Sequence, residues 1–323
     1  MTLKPTRSGI AFLFPGQGSQ HVGMGRALCE SFPYARDLFR EADEALGFSL
    51  SSLCANGPEE ELRRTAYTQP ALLTVSVAAA EVLRRELGLV PQLCAGHSLG
   101  EYSALVCAGA LRFADAVRLC HLRGRAMQEA VPEGVGAMAA VVGLPALVVE
   151  AACADASQGD LMCQTANDNG ADQIVLSGHR EAVERALSLC RQRGAKLCKL
   201  LPVSAPFHCR LMAPAAERLR AALATTPVGP LAVPVLANVD ARPYPPEGGD
   251  AVRDRLYRQV EGTVRWRECM EALVASGIRG AVEVGPGRVL LGLLRRAAPA
   301  LRAVAFAEPA QLDEVRALMG DIA

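Results

Sequence analysis

The pentapeptide Gly96-His97-Ser98-Leu99-Gly100 constrains this chain more than any other stretch. The apolar run "QLCA" leads into it and "EYSALVCAGAL" follows, so a strand enters the turn and a helix leaves it. Glycine on both sides permits a bend that lifts the serine hydroxyl clear of a sheet, at the positive end of the next helix. The spacing also arises by chance. Taken alone, the turn leaves two readings open: a serine that caps a helix, and a nucleophile.

The surrounding pattern is that of an α/β fold with parallel strands. "GIAFLF" reads as a first strand and runs into the glycine-rich "PGQGSQHVGMG". Residues 69–87 read as a helix stopped by Gly88 and Pro91, and residues 114–130 as another stopped by Pro132 and Gly134. From 134 to 203 the order changes to strand, helix, strand, strand, helix, strand, which is the ferredoxin-like arrangement. The expected organisation is therefore a large domain of residues 1–133 and 204–323 with an insert at 134–203. "HCRLMAPAAERLRAALA" returns to helix, "AVPVLANV" to strand and "GAVEVGPGRVL" to strand, turn and helix, while "ARPYPPEGGD" (241–250) reads as an exposed loop away from the chemistry.

Composition narrows the function classes. Half of the 323 residues are hydrophobic but only 4% are aromatic, so the core is expected to be rich in Ala, Leu and Val. Lys+Arg and Asp+Glu balance at 34 each, which argues against a general nucleic-acid binder. Eleven scattered cysteines without a C-x-x-C pair fit reduced thiols and a cytoplasmic setting. No segment approaches the length of a membrane span, and the first apolar run is too short for a signal peptide.

A serine nucleophile needs a base. His97 adjoins Ser98 and points away from it in such a turn. His21 lies in the glycine-rich turn, and His121 and His179 follow helix or turn patterns with no evident partner. His208, in "VSAPFHCRLM", sits between a strand and a helix, as Ser98 does, and strand ends on one sheet edge are where catalytic groups converge. At about 100° per residue, Arg118, Arg125 and Glu129 share a solvated helix face, whereas Arg123 projects among Ala116, Leu119, Met127 and Ala130. Such an arginine either meets an anion in a bidentate pair or lays its stem on the core and lets its head reach water. "FPGQGSQ" lacks the Gly-Lys-Ser/Thr of a phosphate loop and suits an oxyanion hole better.

In order, "FPGQGSQ", "TQPAL", "GHSLGEYSAL", "RGRAMQEAVPEG", "PFHCRLM" and "VEVGPGRVL" resemble the malonyl-CoA:acyl-carrier-protein transacylases, an acyltransferase family of fatty acid and polyketide synthesis, over essentially the whole chain. The resemblance implies an α/β-hydrolase-like large domain with a ferredoxin-like insert. It also implies Ser98 as acylated nucleophile, His208 as general base, and an oxyanion hole from the N–H groups of Gln17 and Leu99. Arg123 would grip the malonyl carboxylate, Gln69 would line the acyl pocket, and Gln259 would orient His208 through its main-chain carbonyl, with no acidic third member. Leu99 and Phe207 would favour malonyl over methylmalonyl. The implied partners are malonyl-CoA and an acyl carrier protein that brings its own phosphopantetheine, to a monomer without cofactor, metal, nucleic acid or membrane. Arg191, Arg193, Lys196 and Lys199 would offer an acidic carrier protein a docking patch, or simply form a solvated helix end. An acyl-thioester hydrolase on the same dyad and an inactive carrier-binding module are the competing readings.

Overall fold

Five short strands pair in parallel in the order β7-β2-β1-β8-β9, with β1 Ile10–Phe14, β2 Leu93–Gly96, β7 Val235–Leu236, β8 Gly280–Val284 and β9 Arg302–Phe306. The computed structural model describes residues 9–170, 173–203 and 205–322, so the domain limits expected at 1, 204 and 323 lie outside the described residues. β1 is buried along its whole length, as a central parallel strand with both faces covered must be. Its side chains alternate: Ile10, Phe12 and Phe14 enter the core under helices Thr65–Leu87 and Phe113–Glu129, while Ala11 and Leu13 meet Trp266, Leu290 and Leu294 on the other face.

A second, antiparallel sheet takes its strands from β3 Gly136–Val142, β4 Cys163–Asp168, β5 Gln173–His179 and β6 Leu197–Leu200, in the order β4-β5-β3-β6. With helices Ala146–Ala156 and Arg180–Gln192 in the two crossovers, this is the ferredoxin-like arrangement expected of the insert. Period two decides its role. Ile174 and Leu176 of β5 pack on those helices, whereas Val175, with Met138 of β3, turns to the cleft between the two sheets.

Several local expectations change. The first long helix begins at Thr65, four residues earlier than expected, so Pro70 lies inside it. A proline cannot donate to the carbonyl four residues back, here that of Ala66, and His121 Nδ1 bonds that oxygen at 2.9 Å instead. His121 therefore has a partner, as has His179, whose Nδ1 accepts from Met162 N at 3.1 Å. The strand expected in "AVPVLANV" shrinks to Val235–Leu236, directly after Pro234. The proline-rich loop 241–250 is not wholly exposed, for Tyr244 is buried and its hydroxyl donates to Glu101. Among the described residues no helix is long and apolar enough to cross a membrane.

Candidate active site

β1 and β2 end in register, Phe14 opposite Gly96, so the turns "PGQG" and "GHSLG" emerge side by side. His97 N donates to Phe14 O at 3.0 Å and ties them together. The fencing glycines are required by close approach: a Cβ on Gly96 would lie 1.9 Å from the backbone carbon of Gly100, and one on Gly100 would lie 2.1 Å from Phe14 O. Ser98 itself is held at φ 51°, a left-handed conformation that costs a non-glycine residue about 1–3 kcal/mol and persists only when its surroundings enforce it. Asn238, two residues beyond β7, supplies that enforcement. Its Oδ1 accepts from Ser98 N at 2.7 Å and its Nδ2 donates to Gly96 O at 2.8 Å.

His208 is the second residue held in the left-handed region, at φ 58°, and is 4% exposed. Its Nε2 lies 2.7 Å from Ser98 Oγ and its Nδ1 2.9 Å from the main-chain oxygen of Gln259. A carbonyl only accepts, so the proton sits on Nδ1 and Nε2 faces the serine hydroxyl with a free lone pair. Burial, and next the positive charge of Arg123, push the imidazole down to about 3, so it is neutral near pH 7. That is the state a general base requires.

Arg123 is 1% exposed, and its head does not reach water. Nη1 donates to Gln69 Oε1 at 2.8 Å, and Nη2 to Ser98 Oγ at 3.1 Å and Gln259 Oε1 at 3.0 Å. Among the described residues Nε has no partner, and no carboxylate forms an ion pair with this guanidinium. A buried cation served only by neutral acceptors keeps its charge open to an anion that could arrive from outside. The cleft it faces has a volume of about 240 Å³ and is lined by Ser98, His208, Gln69 and Phe207. Gln17 and Leu99 line it too, and among the described residues their N–H groups donate to no protein acceptor. His97 turns away as expected, with Nε2 2.9 Å from Asn169 Oδ1 and its ring edge-on to Trp266.

Three contributors escaped the sequence reading: Asn238, Glu101 and Tyr244. Glu101 is wholly buried and accepts from Asn238 N at 3.0 Å, from Gln259 Nε2 at 2.7 Å and from the Tyr244 hydroxyl. A lone carboxylate in the apolar helical run "EYSALVCAGAL" was the available signal. In the basic patch, Arg193 is committed to Asp155 and to Val148 O, and the stem of Lys196 packs over Gly143.

The description of one family, the acyl transferase domain, matches residues 11–312. The chain belongs to the acyl transferase family. This acyl transferase is 49% identical over 303 residues to the malonyl CoA-acyl carrier protein transacylase of Escherichia coli strain K12, covering 94% of this chain and 97% of that one. The crystal structure of an acyl carrier protein S-malonyltransferase from Vibrio cholerae superposes with a TM-score of 0.91 at 47% identity, covering 95% and 99% of the two chains. A malonyl-transacylase solved in complex with its type II PKS acyl-carrier protein gives 0.91 at 46%, covering 94% and 97%. The fold of this acyl transferase is thus that of the malonyltransferases, a parallel sheet joined to a small antiparallel one.

Proposed function

We propose that the chain transfers a malonyl group from malonyl-CoA to the phosphopantetheine thiol of an acyl carrier protein, through an ester on Ser98. The observation that carries this is the meeting of three groups in one cleft: Ser98 Oγ is 2.7 Å from His208 Nε2 and 3.1 Å from Arg123 Nη2. His208 takes the hydroxyl proton as Oγ attacks the thioester carbonyl. The N–H groups of Gln17 and Leu99 hold the tetrahedral oxyanion, each such donor contributing about 3–4 kcal/mol. The C–S bond breaks, the CoA sulfur leaves with the proton from His208, and the malonyl-serine ester remains. The carrier thiol then gives its proton to His208 and attacks the ester, and Oγ recovers the proton as it leaves. Throughout, the Arg123 fork pairs with the free carboxylate, and the Gln259 carbonyl keeps the Nδ1–H tautomer through both halves.

A hydrolytic role has no support. The relatives described above carry transacylase or malonyltransferase names, and the carboxylate-binding arginine is in place. An inactive carrier-binding module would not need a strained serine aligned with a neutral histidine.

Intact-protein mass spectrometry after exposure to malonyl-CoA tests the reading. One malonyl adduct is expected, absent in Ser98→Ala. In Arg123→Ala, malonylation falls about 100-fold or more, while acetylation from acetyl-CoA, which carries no carboxylate, changes little. A malonyl adduct that persists in Ser98→Ala overturns the assignment.

A further inference from the structure

Among the described residues, two opposite charges are buried in this site without an ion pair. There Arg123 has neutral acceptors only, and the wholly buried Glu101 accepts from a backbone N–H, a hydroxyl and an amide. The side chain of Gln259 joins them. Its Nε2 donates to Glu101 Oε2 at 2.7 Å and to Ser98 O at 2.9 Å, and its Oε1 accepts from Arg123 Nη2 at 3.0 Å. Reversing this amide would set N–H groups against a guanidinium and a carbonyl against a carboxylate. The charges at its two ends therefore lock its orientation. The same residue offers its main-chain oxygen to His208 Nδ1.

We infer that Glu101 is the built-in counter-charge of Arg123, which competes through the Gln259 amide with the substrate's carboxylate for that guanidinium and so tunes the cleft's affinity for an anionic acyl group. Glu101 touches neither the reacting atoms nor the acyl group, so it is a positioning residue. The inference rests on the malonyl-transfer reading of Ser98 and Arg123. An uncompensated buried arginine would hold a carboxylate tightly, and a transferase must release its acyl group to the second acceptor. A fixed internal carboxylate weakens the grip without weakening the selection, because an acyl group without a carboxylate gains nothing from either charge.

Glu101→Gln isolates charge from shape. The new amide can accept from Asn238 N and Gln259 Nε2 on its oxygen and donate to the Tyr244 oxygen, so the packing is retained while the charge goes. The assay belongs at pH 8, because burial pushes the Glu101 carboxyl up to about 7 against the opposing pull of Tyr244, Asn238, Gln259 and Arg123. The rate of Ser98 acylation is followed by intact mass over a range of malonyl-CoA and acetyl-CoA concentrations. The half-saturating malonyl-CoA concentration is expected to fall about three- to tenfold, and that for acetyl-CoA to stay within about twofold. A merely structural role would move both together. An unchanged or raised value for malonyl-CoA, with the adduct still forming, overturns the inference. Failure of the unaltered protein to take any malonyl adduct would instead sink the function on which it rests.

Should Glu101→Gln not fold, thermal midpoints decide. Once Arg123→Gln has removed the cation, adding Glu101→Gln removes a carboxylate with nothing left to balance and should raise the midpoint. A lower midpoint for the double variant than for Arg123→Gln alone overturns the inference.

Discussion

The antiparallel insert and the cleft end of the parallel sheet bury their interiors on opposite terms. Under its two helices the insert packs Ala139, Val141, Val149, Ile174, Leu176 and Leu187 with the thiols of Cys153, Cys163 and Cys190, and among its described residues the buried carboxylate, Asp168, sits at the end of β4 and pairs with Arg267 outside the insert. At the cleft, Glu101, Arg123, His208, Asn238 and Gln259 are all buried, and Ser98 and His208 sit in the left-handed region. The first interior is stabilised by apolar area and shape. The second spends stability on desolvated charge and backbone strain, which makes sense only where an incoming group completes the arrangement. Burial of a polar group is thus not itself the mark of function. Glu283 is as buried as Glu101, yet it accepts from the N–H groups of Leu290 and Leu291 at 3.1 and 2.8 Å and simply caps a helix.

The largest effect should come from His208→Ala, which removes the proposed proton acceptor while the strained serine remains. Acylation of Ser98 should fall about 10³-fold or more, equally for malonyl-CoA and acetyl-CoA. Because burial and Arg123 hold the imidazole at about 3, acylation by the unaltered protein should show no step near the ordinary histidine value of 6.5. Stability follows the same shift. The unfolded chain protonates this histidine near 6.5 and the folded one only near 3, so the unfolded state binds the extra proton in that window. The folded state should lose stability as pH falls from 6.5 toward 3, and thermal midpoints of His208→Ala should show a flatter acid limb. A selective loss of malonylation would place His208 among the substrate-binding groups and break the comparison.

Next in size is Leu176→Ala in the insert. The side chain is fully buried, opposite Ala139 on β3, so truncation should cost about 2–5 kcal/mol in denaturant unfolding. Acylation per folded molecule should stay within about twofold, with the malonyl-to-acetyl ratio unchanged. A shift in that ratio would mean that the insert core sets the cleft geometry through Val175 and Met138, and the two interiors would no longer be separable.

The same contrast explains what could be read from the chain. The insert's strand order followed from local periodicity, because an interior without charge obeys pattern and propensity alone. Ser98 was legible because its glycines and flanking elements are its immediate neighbours, and Arg123 because its own helix leaves it on an apolar flank. Asn238, Tyr244 and the partners of Glu101 were not. The bonds that define them span 140, 143 and 137 positions, and nothing local in "LANVD" or "ARPYPP" announces them. His121 shows a middle case. Its partner is the carbonyl that Pro70 leaves free, which becomes visible once the helix is known to start before the proline.

The smallest predicted effect lies where the two styles of interior meet. Phe207 precedes the proposed base His208 and lines the same cleft as Ser98, but it contributes as the insert core does, by apolar volume rather than by charge. With its ring and Leu99 both lining the cleft, an α-methyl branch on the acyl group should meet apolar bulk. Malonyl-CoA should be preferred over methylmalonyl-CoA by at least about tenfold, or about 1.4 kcal/mol, in competitive labelling of Ser98, within what one methyl can decide in a pocket. Phe207→Ser should narrow that ratio to about threefold by admitting the branch. It should leave the malonyl-to-acetyl ratio untouched, because in the proposed function the carboxylate is read by Arg123 and not by volume. Equal use of the two acyl groups by the unaltered protein would show that volume plays no part in selection. A change in the malonyl-to-acetyl ratio in Phe207→Ser would show that the ring also positions the guanidinium, so that shape and charge act in this cleft as one device.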